Sequence, residues 1–232
     1  MLAPVWGNAP ARLTGQIWSD AQLESVLVHI VTRSNKRLFS LEFEGMYRDR
    51  KRVFVDWLKW KIPVTDGKYE IDQFDSDNAV YLIESDVYGR HLASIRLLPT
   101  TKPHLLADVF PALCDGPVPR GDRIWELTRF CVSPDEIKRD GKRLMNLMWT
   151  ASVEFAVEHG ISEFTCVTHM AFLSQILSAG WDTTPLGLPK EVDGGLIGAV
   201  LFRISEETLT ESRRRHGYAS TVFEPARRSE AA

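Results

Sequence analysis

The sequence predicts a single α/β/α layered domain. Short β-branched and aromatic runs alternate with amphipathic segments, one segment past the midpoint is apolar almost all round, and 232 residues is enough for one well-buried domain but not for two. Residues 1–36 contain Pro4, Pro10 and Gly15 and then the apolar stretch Leu23 to Val31, and read as an N-terminal extension packed on or flanking the domain. The domain spans 37–217, and 218–232 reads as a C-terminal tail. From Leu38 to Leu58 the apolar residues Leu41, Met46, Tyr47, Val53, Phe54 and Trp57 recur at helical spacing between charges, which predicts an amphipathic helix with Arg50 and Phe54 on one face. Ala79 to Glu84 and His91 to Leu98 are strand-like runs joined by the turn-forming Ser85 to Arg90, a β-hairpin pattern. Ile124 to Val132 is the next strand, and strand alternation puts Glu126 and Arg129 on opposite faces unless a bulge intervenes. Gly141 to Gly160 is the all-round apolar helix, followed by a strand at Phe164 to Thr168, a short helix over Ala171 to Ala179 stopped by Gly180, and a last strand at Gly198 to Ile204. Ser205 then caps a terminal helix with Glu206 and Glu207 in its first turn and Arg213 to Arg215 in its last, as the helix dipole favours.

Composition removes several function classes. A formal charge of -3 with 25% charged residues gives no global case for nucleic acid. Cys114, Cys131 and Cys166 are odd in number and lack C-x-x-C spacing, so neither a disulfide framework nor a thiolate metal site is expected, and they fit a reducing cytoplasm. The first twenty residues have no basic region followed by an apolar one, and the apolar run near Leu196 to Phe202 is far too short for a membrane span, so no stable membrane anchor is expected. The six histidines have no i, i+4 partners, and G-x-S-x-G is absent; none of the histidines is assigned to catalysis.

The polar motifs have ordinary readings when taken singly. Asp72-Gln73-Phe74-Asp75 is a solvated acidic loop, Arg50 and Arg96 are ion-pair arginines, and Lys138-Arg139-Asp140-Gly141-Lys142-Arg143 is a basic turn opening the buried helix. A glycine at a helix N-terminus with local positive charge is also suited to a phosphate. Metal binding is not expected, since no histidine or cysteine completes a set with Asp72 and Asp75.

Taken in order, however, Arg50, Phe54, Trp60, Asp72, Asp75, Arg96, Glu126 and Arg129, with Arg96 to Pro103 and Ala179-Gly180-Trp181, resemble the LuxI-type acyl-homoserine lactone synthases over roughly Leu38 to Arg203. The resemblance implies an N-acetyltransferase-like mixed twisted sheet. It also implies two substrates and no cofactor: S-adenosylmethionine, and an acyl thioester on acyl carrier protein or coenzyme A. In that reading Glu126, Arg129, Asp75 and Arg96 are catalytic, and Arg50, Phe54, Trp60, Asp72, Asp75 and Arg96 hold S-adenosylmethionine. One of the three arginines would organise the acidic loop, one would meet the substrate carboxylate and one would orient Glu126. Lys138, Arg139, Gly141, Lys142 and Arg143 receive the pantetheine phosphate or an acidic carrier, and Met145, Met148, Trp149, Phe164 and Thr168 form the acyl pocket. Two readings compete. An acetyl-CoA-dependent N-acyltransferase acting on another amine predicts a fuller glycine loop and leaves the set from Arg50 to Asp75 unexplained. A non-catalytic ligand-binding domain predicts that Glu126→Gln changes the binding of neither ligand.

Overall fold

The computed structural model describes residues 24–25, 28–178 and 180–220. Its centre is an eight-stranded mixed sheet in the order β2 (His29–Val31), β3 (Val80–Ser85), β4 (His91–Pro99), β5 (Ile124–Val132), β6 (Glu163–His169), β9 (Gly195–Arg203) and β7 (Asp182–Pro185), with β8 (Lys190–Val192) also on β9. Neighbours are antiparallel except β5 and β6, which are parallel. The predicted hairpin is β3–β4, with Tyr81 opposite Arg96. Its turn is held by Asp86, which accepts from the backbone N–H groups of Tyr88 and Arg90.

Alternation along these strands divides the core. Val80, Leu82, Ile95, Leu97 and Leu127 pack against α3 (Ile137–Glu158) and against Leu209 of α5 (Glu206–His216). Tyr81, Ile83 and Leu98 point the other way, against Phe43 and Met46 of α1 (Ser40–Arg50). α2 (Leu105–Asp108) covers the same side farther along, with Leu106 packed beside Leu113 and Ala199. α4 (Met170–Ser178) follows β6.

The helix read over Leu38 to Leu58 exists in three grades: a 3-10 turn at Lys36–Phe39, α1, and a π-helical segment Lys51–Trp57. The wider turn closes with the Leu58 N–H donating to Val53 O and the Trp60 N–H donating to Phe54 O. α3 runs one turn farther N-terminal than the sequence pattern suggested. Ser205 caps α5 through a reciprocal box with Thr208, and Gly217 ends it at φ 83°.

Five strands were not expected from the sequence. β7 and β8 are short and polar, as exposed edge strands are, with Pro185 closing one of them. Residues 28–31 supply the opposite edge, with Val28, Ile30 and Val31 in the core, so this part of the extension is built into the sheet. β1 (Glu24–Ser25) and β10 (Tyr218–Ser220) pair in parallel, which brings the extension and the tail together.

Candidate active site

Three arginines and three carboxylates form one buried ion network on the α1 side of the sheet. Arg50, the last residue of α1, donates through Nε to Glu70 and through both terminal nitrogens to Asp75, at 2.8 and 2.9 Å. Arg96 on β4 clamps Asp72 at 2.6 and 3.0 Å, reaches Asp75 at 2.9 Å, and donates through Nε to the Thr128 hydroxyl on β5. Arg129 bridges Glu70 at 2.9 Å and Asp72 at 2.7 Å. The Tyr81 hydroxyl and the Asp72 backbone N–H both donate to Asp75 at 2.8 Å. Burial pushes the carboxyls of Asp72 and Asp75 up, but the arginines outweigh it and hold both below the ordinary carboxylate range. Three positive and three negative groups balance, as befits side chains that are at most 8% exposed.

Glu70 is the member that sequence reasoning missed. It ends the polar run Thr65 to Glu70, two residues before the stretch read as a solvated acidic loop, and was not singled out, yet its side chain is fully buried. The available signal was charge balance: with Glu126 reserved as a base, Asp72 and Asp75 leave three arginines one anion short.

Arg129 reaches this network because a bulge intervenes. Its φ is +50°, and the β4–β5 register shifts between Ser94 and Arg96, so its side chain joins those of Arg96 and Thr128 instead of alternating away. The guanidinium also lies 5.7 Å over the Phe54 ring, which is stacked on Trp60 at 4.9 Å and 5° by the π-helical turn. The expectation that an arginine orients Glu126 is corrected. Both Glu126 oxygens accept backbone N–H bonds of 2.7 Å, from Leu105 and Leu106 at the start of α2. Glu126 is fully buried, and burial pushes its carboxyl up to about 7 against those two bonds and Arg96.

The β5–β6 pairing is confined to Ile124–Glu126 with Glu163–Thr165. Beyond it β5 stays on β4 and β6 stays on β9, so the two parallel strands part immediately after Glu126. The acyl-pocket candidates lie behind this parting. Met148, Trp149 and Phe164 are in the α3-side core with Met145 packed against them, and alternation along β6 puts Thr168 on the Phe164 face. Trp149 stacks on Phe130 at 5.1 Å and meets Trp181 edge-on at 5.2 Å.

The basic turn is arranged differently from the sequence reading. Gly141 is the fifth residue of α3 and is buried, so its N–H lies inside the helix and not in a loop that could meet a phosphate. Arg139 is paired with Glu136, and Arg143 with Asp140, while Lys138 and Lys142 are exposed. Among the described residues no group of three or more His, Cys, Asp or Glu could hold a metal, and no helix is long and apolar enough to cross a membrane.

Comparison with known proteins places this geometry. A family model described as autoinducer synthase matches residues 34–211. The isovaleryl-homoserine lactone synthase of Bradyrhizobium diazoefficiens is 32% identical over 210 residues, covering 88% of this chain and 92% of that protein. An acyl-homoserine-lactone synthase of Pseudomonas aeruginosa is 30% identical over 183 residues, 78% of this chain and 89% of its own. The solved structure of BjaI, described as a CoA-dependent acyl-homoserine lactone synthase with SAM and isopentyl-CoA, superposes with a TM-score of 0.79 at 31% identity, covering 85% of this chain and 92% of that one. The chain therefore belongs to the autoinducer synthase family, and it is an acyltransferase of the acyl-homoserine-lactone synthase class.

Proposed function

We propose that the chain N-acylates S-adenosylmethionine from an acyl thioester and then closes the homoserine lactone with release of methylthioadenosine, with Glu126 as the base of the first step. The observation that carries this reading is Glu126 itself: a buried carboxyl with a pKa of about 7, beside the ion network and at the point where β5 and β6 part. An α-amino group titrates near 7.7 to 8.0, so its proton must leave before attack. Transfer to a carboxyl near 7 is uphill by about 1 kcal/mol, whereas an ordinary glutamate near 4.3 would make it about 5 kcal/mol. Asp72 and Asp75, pinned by arginines and held low, are poor acceptors for the same proton. The stacked Phe54 and Trp60 suit the adenosyl part of the substrate, and their ring faces suit its sulfonium.

The second step joins the substrate carboxylate to the γ-carbon as the sulfonium leaves. Opposite charges are annihilated, so a dry site that folds the chain on itself accelerates it without further acid or base. Coenzyme A is the donor that the BjaI structure supports, and the Bradyrhizobium relative makes a short branched acyl group the first to assay. Acyl carrier protein is the alternative carrier and is assayed beside it. The test uses purified protein, S-adenosylmethionine and isovaleryl-CoA, octanoyl-CoA or acyl carrier protein thioesters, following thiol release and the lactone by mass spectrometry. Lactone from wild type and none from Glu126→Gln is the expected result. Wild-type activity in Glu126→Gln removes the base assignment.

A further inference from the structure

We propose that Thr165 is a further catalytic residue, its hydroxyl donating to the thioester carbonyl oxygen as that oxygen takes on negative charge during N-acylation. The assignment rests on the acyl-transfer reading above. Thr165 is paired in parallel register with Glu126, in the last pair before β5 and β6 separate. Residues opposite each other in adjacent strands point to the same face, and neighbouring strands lie about 4.8 Å apart, so the hydroxyl and the carboxyl stand side by side at the mouth of the parting. The flanking Phe164 and Cys166 point the other way, into the α3-side core.

Thr165 is fully buried, and its Oγ1 has no hydrogen-bond partner among the described residues. That is unusual for a hydroxyl. The other threonines placed beside the site are bonded: Thr128 to Arg96, and Thr100 to the carbonyl of Ile124. A valine would fill the same space without stranding a polar atom, so the hydroxyl lowers stability unless something else uses it. The chemistry at this spot supplies the use. Glu126 takes one proton from the substrate ammonium, and the freed amine forms the N–C bond. The carbonyl π pair moves to oxygen, which Thr165 meets with its O–H, and the oxygen keeps full negative charge only in the tetrahedral state. As the pair returns, the C–S bond breaks and the second amine proton goes to the departing thiolate. Leu106 of α2 and the half-buried Val167 pack over this side of the strands, so the donor acts out of bulk water.

Removing one such donor lowers turnover by roughly 10²-fold in acyl-transfer enzymes. Thr165→Val, nearly isosteric, is expected to lower kcat for thiol release by about that factor, with KM for both substrates and the acid limb of the pH profile unchanged and Tm equal or higher. Thr165→Ser, which keeps the hydroxyl, is expected to retain kcat within a few-fold. Synthetic N-acyl-S-adenosylmethionine given to Thr165→Val is expected to lactonise at the wild-type rate, since that step forms no oxyanion. Wild-type kcat in Thr165→Val, equal losses in both variants, a shifted acid limb or slowed lactonisation would each overturn the assignment. If wild-type protein releases thiol from no thioester, the acyl-transfer reading itself falls, a result distinct from these.

Discussion

Glu70 lies fully buried between Arg50 and Arg129, and its removal tests whether the ion network is one unit. Glu70→Gln leaves three buried guanidinium groups facing two carboxylates, and stranding a buried charge costs about 3–5 kcal/mol. Urea unfolding at neutral pH should show that loss. Glu44→Gln, which breaks the exposed pair with Arg48, should cost less than about 1 kcal/mol on the same measurement. Equal effects would mean that the buried network contributes no more than a surface pair. Most of this site was legible in the sequence because Arg50, Asp72, Asp75, Arg96, Glu126 and Arg129 stand in a recognisable order. What could not be read was which partner each would take. Glu70 was hidden in a polar run, and Thr165 sits in an apolar strand where nothing but three-dimensional pairing reveals an unbonded hydroxyl.

Among the elements, α2 has a function out of proportion to its four residues, because its first two N–H groups hold Glu126. Those bonds favour the carboxylate and oppose the burial that raises its pKa to about 7. Leu105 opens the helix after an extended His104, a position where proline is compatible with the backbone, so Leu105→Pro deletes one donor and, besides it, trims only the packing of the Leu105 side chain on the α1-side core. As the base proposed for N-acylation, Glu126 must be ionised to accept a proton, so kcat/KM is expected to fall as pH drops through its pKa. With one bond lost, that acid limb should move to higher pH in Leu105→Pro. An unmoved limb in the pH–rate profile would show that these bonds do not set the proton affinity of Glu126. The long elements were legible from their hydrophobic periods: α1 with its π-helical continuation, α3, and the β3–β4 hairpin. The bulge at Arg129 was not, since a left-handed arginine is fixed by its tertiary partners and leaves no mark on local pattern.

At the scale of the whole molecule, four buried carboxyls fall into two opposed pairs, and each pair makes stability vary with pH in its own direction. Asp72 and Asp75 are held low, so the stability they contribute is present above their unfolded pKa near 3.8 and is lost as pH falls through the folded values. Glu84 and Glu126 are pushed up to about 7, chiefly by burial, from 4.5. Between those two values the folded state binds more protons than the unfolded one, so their contribution makes stability fall as pH rises. Glu84 is the cleaner probe because it lies on β3, away from the ion network, with Arg143 and Asp140 as the charged groups acting on it. One of its oxygens is buried without a hydrogen-bond partner among the described residues. Glu84→Gln resembles the protonated form and cannot ionise. It should match wild type near pH 4.5, where Glu84 is neutral in the folded state, and exceed it by roughly 1–3 kcal/mol at pH 8, where wild type must bury the charge. Urea unfolding of both proteins across that range measures the difference directly. Parallel curves would mean that Glu84 ionises normally in the fold and that the decline toward high pH belongs to Glu126 alone.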